Sequence, residues 1–108
     1  MNFNFAPAYG NITSVTNATS ATAAVVLPKN CNMVELYNVS ATATVYVRVT
    51  SYQDETSPPT GDAPTATAGY PVGPSQRTRI WVGPGCKLIR TIASAADANI
   101  LIIPGNGV

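Results

Sequence analysis

Two stretches of the chain alternate apolar and polar side chains with a period of two. In "TATVYVRVT", residues 42–50, Val45, Val47 and Val49 fall on one side, with Thr44, Tyr46, Arg48 and Thr50 on the other. In "CNMVELYNV", residues 31–39, Val34 and Leu36 face one way and Met33, Glu35, Tyr37 and Val39 the other. Successive Cβ atoms leave opposite faces of a sheet, so this period marks half-buried strands. A short polar link at Asn38, Ser40 and Ala41 makes the pair read as a β-hairpin. "RTRIWVG", 77–83, sets Ile80 and Val82 against Arg79 and Trp81, and "CKLIRTIAS", 86–94, follows the corner Gly83-Pro84-Gly85. Near the end, Ile100 to Ile103 form an almost continuous apolar run, the pattern of a strand buried on both faces or facing a partner.

The rest of the chain punctuates these runs. "TSVTNATSATAAVVLP", 13–28, is rich in Thr and Ala, closes at Pro28 and reads as one or two strands. Residues 51–76 hold Pro58, Pro59, Pro64, Pro71 and Pro74. Proline cannot donate to a ladder, so this stretch is expected to be a long surface excursion, with "TATAGY" as a short edge strand at most. No segment keeps a helical period over two turns; "SAADA", 94–98, reads as one helical turn or a loop. Residues 1–10 carry Phe3, Phe5, Pro7 and Tyr9. These alternating aromatics suit an edge strand lying on their own domain, or an arm reaching a neighbouring subunit. The expected architecture is all-β: an N-terminal arm, 1–10, and a single β-sandwich domain, 11–108, jelly-roll or Ig-like, with about seven or eight short antiparallel strands.

Composition narrows the function. A chain of 108 residues is one domain. Charged residues make up 10% and the net charge is +1. Neutralising phosphates needs a basic patch, so nucleic acid is not an expected partner. No apolar run approaches the roughly 20 residues that cross a bilayer. "MNFNFAPAYG" lacks the basic segment and apolar core of a secretory signal, which favours synthesis in a reducing cytoplasm.

The chain contains no histidine. This removes Ser-His-Asp and Cys-His catalysis and every zinc site that needs imidazole. Cys31 and Cys86 each open a strand after a turn. Packing residues, a mutual disulfide and a reactive thiol remain open for them, but the last needs a positioned cation or helix N-terminus. Asp54, Glu55 and Asp62 supply Ca²⁺-type oxygen ligands, yet their spacing matches no EF-hand loop, and a solvated loop explains them. No catalytic, cofactor or metal residue is therefore assigned. Three glycosylation sequons, at Asn11, Asn17 and Asn38, are within what an Asn- and Thr-rich chain produces by chance. Arg48, Arg77, Arg79, Arg90, Tyr37, Tyr46 and Trp81 fall on outward strand faces. Arg, Tyr and Trp most often anchor protein interfaces, so these positions read either as a docking face or as an ordinary solvated sheet.

The order of turns and strands resembles small β-sandwich proteins of tailed bacteriophages, head-decoration (cement) proteins among them. The resemblance is carried by "AVVLP" (24–28), "VELYN" (34–38), "ATVYVRV" (43–49), "VGPG" (82–85), "IAS" (92–94) and the terminal "IIPGNGV" (102–108). It spans roughly residues 20–108. The two cysteines, the charged Pro-rich loop at 53–64 and the aromatic arm depart from that layout. The resemblance implies a non-enzymatic virion protein on the capsid surface that bridges capsomers. Its partners would be the major capsid protein and its own copies, as a homotrimer or homodimer. Phe3, Phe5, Tyr9, Tyr46, Arg48, Arg79 and Trp81 are the candidate contact residues. A tail- or fibre-associated protein is the alternative within virions. A carbohydrate-binding sandwich, with Trp81 and Tyr46 as stacking platforms, is the alternative outside them.

Overall fold

The alternating runs become strands, and their apolar sides meet in one core. The computed structural model describes residues 6–7, 12–17, 25–28, 30–52, 64–65, 68–83, 85–95 and 98–106. Among them are nine strands and no helix: β1 (Ala6–Pro7), β2 (Thr13–Asn17), β3 (Val25–Val26), β4 (Met33–Asn38), β5 (Val45–Ser51), β6 (Tyr70–Val72), β7 (Arg77–Trp81), β8 (Lys87–Ala93) and β9 (Ala98–Asn106). They form two antiparallel sheets. Sheet A runs β1-β9-β4-β7, with β2 also on β9; sheet B runs β3-β8-β5-β6. β1 pairs with Gly105 and Asn106 while β2 pairs with residues 98–102. Pro104 falls between the two stretches, at an interruption of the edge, where a proline is best tolerated. The expected arm, 1–10, thus contributes Ala6–Pro7 to sheet A.

The pairings are nested. β5 pairs with β6, β4 with β7, β3 with β8 and β2 with β9. This is the ladder of one long hairpin whose tip is the segment between β5 and β6. The hairpin is wrapped, so that β4 also meets β9 and β5 also meets β8. Val34 and Leu36 of β4 face Val45 and Val47 of β5 within one cluster that also holds Val72, Ile89, Ile100 and Ile102. Each of these eight side chains is at most 2% exposed.

The alternation gave the faces correctly, but the expected hairpin between 31–39 and 42–50 does not form. β4 lies in sheet A and β5 in sheet B. Both strands have an apolar side, and the linker lets those sides face each other across the core instead of lying edge to edge. The linker is an arch built on Asn38, which shares the inward parity of Val34 and Leu36. Its side chain is fully buried. Nδ2 donates to the carbonyls of Ala43 (2.8 Å), Val72 (3.0 Å) and Gly73 (3.1 Å), and Oδ1 accepts from Ser40 N–H (3.0 Å). Ser40 Oγ accepts from Ala43 N–H, and Ser75 N–H donates to the Ser40 carbonyl. One amide therefore ties the arch to the turn at residues 73–76. This burial also closes the Asn38 sequon to modification in the folded protein.

The stretch 51–76 is not one uniform excursion: β5 extends to Ser51, and Tyr70–Val72 pairs at the edge of sheet B with Pro71 in it. Asp54, Glu55 and Asp62 lie outside the described residues. The corner at 83–85 carries the chain from β7 in sheet A to β8 in sheet B. Gly83 (φ 75°) and Gly85 (φ 100°) both adopt the left-handed backbone that favours glycine.

Just past that corner, Lys87 is fully buried with the inward parity of Ile89. Its ammonium donates to the carbonyls of Gly85 (2.8 Å) and Pro28 (3.2 Å), pinning the corner to the loop after β3. Lys87→Met keeps the stem but removes the donor and leaves those carbonyls short of a partner. It is expected to lower the unfolding free energy by about 1–3 kcal/mol, read as a shifted urea midpoint at unchanged m.

Candidate interaction surface

On the outer face of sheet A, antiparallel register sets β4 against β7: Met33 opposite Trp81, Glu35 opposite Arg79, and Tyr37 opposite Arg77. Outward parity on β9 adds Ile103 beside Glu35 and Leu101 beside Tyr37. The face is thus half-buried and apolar toward β9, with charges and the indole toward the edge strand β7.

The charges are ordered. Glu35 accepts from Arg79 Nε at 3.1 Å and faces Arg77 Nη1 at 3.6 Å, and its side chain is 14% exposed. The Arg77 guanidinium also lies 4.2 Å from the centroid of the Tyr37 ring. Exposed ion pairs contribute at most about 1 kcal/mol each, and a cation–π contact at such a site about 0.5–1 kcal/mol. Their effect is mainly geometric: two long side chains are held in place on the face. Trp81, at the end of the row, is 62% exposed, the highest value among the large apolar side chains described.

The outer face of sheet B differs. Arg48 stands directly opposite Arg90, and Tyr46 lies between Ile92 and Pro71. Tyr46 is half-buried, and Gly69 lies close to its Cβ. A Cβ on Gly69 would come within 3.0 Å of the Tyr46 Cβ and of the Thr65 carbonyl. On the side between the sheets, the Tyr70 hydroxyl is 3.4 Å from Thr78 Oγ1, linking β6 to β7.

The candidate contact residues are therefore not one surface. Arg79 and Trp81 share the outer face of sheet A; Tyr46 and Arg48 lie on the opposite face of the sandwich. Phe3, Phe5 and Tyr9 lie outside the described residues. Trp81 and Tyr46 cannot line one groove, so that pair does not make a sugar-stacking cleft. Glu35 was not singled out from the sequence, although it organises the face. Its role depends on which strand lies beside β4, and alternation does not encode that.

Cys31 is buried in the core and Cys86 half-buried, and both are free thiols. Among the described residues no three His, Cys, Asp or Glu side chains are grouped to hold a metal ion. No family model, curated protein or solved structure matches this chain.

Proposed function

We propose that this protein is a non-enzymatic virion component of a tailed bacteriophage, a head-decoration protein that binds between capsomers on the outer shell. Its partners are the major capsid protein and its own copies, in a trimer or dimer matching the local symmetry of the shell. The observation that carries this reading is the outer face of sheet A. There an exposed indole and two braced guanidiniums stand on a rigid sheet, and these residue types dominate interface energetics.

The strand order gives further support. A wrapped hairpin with nested pairs β2–β9, β3–β8, β4–β7 and β5–β6 reads as a jelly roll in preference to an Ig-like sandwich. Jelly rolls are the double-sheet architecture of viral capsid and lectin domains. Fold alone does not decide between those two uses. The placement of Trp81 and Tyr46 on opposite faces favours the capsid use over the lectin use.

A shell protein works by number. Each copy adds area across a capsomer boundary, and an oligomer engages several sites at once, so no single contact has to be tight. The test is the copy number in purified particles, measured by quantitative mass spectrometry against the major capsid protein. Hundreds of copies in a simple ratio to the capsid protein are expected. A handful would move the protein to the tail or neck, and none would refute a virion role.

A further inference from the structure

Arg77 differs from the other charged groups on the outer face of sheet A. Its side chain is 62% exposed, and its Nη1 is 3.6 Å from Glu35 Oε2. Its guanidinium carbon lies over the Tyr37 ring, 4.2 Å from the centroid. A separation of 3.6 Å makes an ion pair but exceeds hydrogen-bond length. Among the described residues, the guanidinium N–H groups of Arg77 therefore donate to no protein acceptor. The neighbouring Arg79 is held more closely, with Nε donating to Glu35 Oε1 at 3.1 Å. A guanidinium presents its donors as a planar fork that matches the two oxygens of a carboxylate. Resting on an aromatic ring, this fork has less freedom to lose on binding than a loose side chain would.

We infer that Arg77 receives a carboxylate of the major capsid protein, an Asp or Glu side chain that meets the outer face of sheet A. The inference rests on that face being the docking face. The register supplies a second anchor. Arg77 and Trp81 share the face at the two ends of β7, four residues apart, which is about 13 Å along a strand. Trp81 is 62% exposed. The patch recognised therefore carries a carboxylate at one end and apolar surface about 13 Å away. A nucleic-acid backbone is a poorer match, because it is held by a run of cations, and here the anionic Glu35 contacts both arginines.

Add-back of the protein to depleted shells over a series of NaCl concentrations tests the idea. The wild type should bind less tightly as salt rises, because an exposed charge pair is screened. Arg77→Gln should weaken binding per site at least about 10-fold at low salt and flatten the salt dependence, with the far-UV circular dichroism unchanged. Arg77→Lys keeps the charge on an amine that a water-soluble carbodiimide can join to a carboxylate as an amide. Bound to shells and treated in this way, the Arg77→Lys chain should link position 77 to an Asp or Glu of the major capsid protein, located by mass spectrometry. Binding that Arg77→Gln leaves unchanged at every salt concentration would overturn the inference and leave the docking reading standing. A link from position 77 to a second copy of this chain, or no link at all, would overturn it as well. Shells that do not take up the wild type would refute the docking reading itself, and the inference with it.

Discussion

Asn38→Asp is expected to remove about 3–5 kcal/mol of unfolding free energy, the size found when a buried charge is left without a partner. The wild-type amide donates to three carbonyls inside a site with no solvent access. An aspartate of the same shape places negative charge against those oxygens and offers them nothing. A domain is stable by only about 5–15 kcal/mol in all, so this variant should stand near the edge of folding. Its thermal midpoint should fall by about 12 °C or more. Urea unfolding at neutral pH, with unchanged m, measures the loss. The pH dependence gives a second check. Desolvation and the facing carbonyls raise the folded-state pKa of the new carboxyl above its unfolded value. The deficit should therefore shrink as pH falls and the acid regains a proton to donate. A loss under about 1 kcal/mol would mean that the arch is held by something other than this amide.

Trp81→Ala should weaken binding to particles stripped of the protein by at least about 30-fold per site, the effect of losing a hot-spot aromatic worth about 2 kcal/mol. Because several sites act together, the loss seen for an oligomer should be larger. The indole is mostly exposed, so the fold should not change. Tyr46→Ala provides the control: it alters the opposite face, where Tyr46 is half-buried beside Gly69. Add-back titration onto depleted shells, read by bound mass, distinguishes the faces. If Tyr46→Ala releases the protein and Trp81→Ala does not, the docking face is sheet B.

Much of this fold is legible in the chain. Val45, Val47 and Val49 point inward, as do Val34, Leu36, Ile80 and Val82, because a period of two leaves no other arrangement. Strand partners are not legible in the same way. The link between β4 and β5 has the composition of a hairpin turn, and only the packing of two apolar faces makes it an arch. Asn38 reads as a turn marker, and the residue type of Lys87 gives no sign of burial. Both occupy inward positions, and the signal that identifies them is parity with Leu36 and Ile89. That signal is easily overruled by residue type, since Asn and Lys are seldom buried. The candidate surface fared likewise. The outward Arg, Tyr and Trp residues were identifiable one by one. Their division between two opposite faces follows from strand order, which depends on contacts far apart in sequence.

The nested ladder has a kinetic side. Its innermost rung, β5 with β6, must close across an intervening stretch of 18 residues, from Tyr52 to Gly69, and each rung outward joins segments still farther apart. The chain therefore has little structure that can form locally and early, and loop-closure entropy must be met before most contacts repay it. A ladder of this kind belongs with the slow-folding β proteins. The outermost pairings, β2 and β1 on β9, join the most distant segments of all and so carry the largest closure cost.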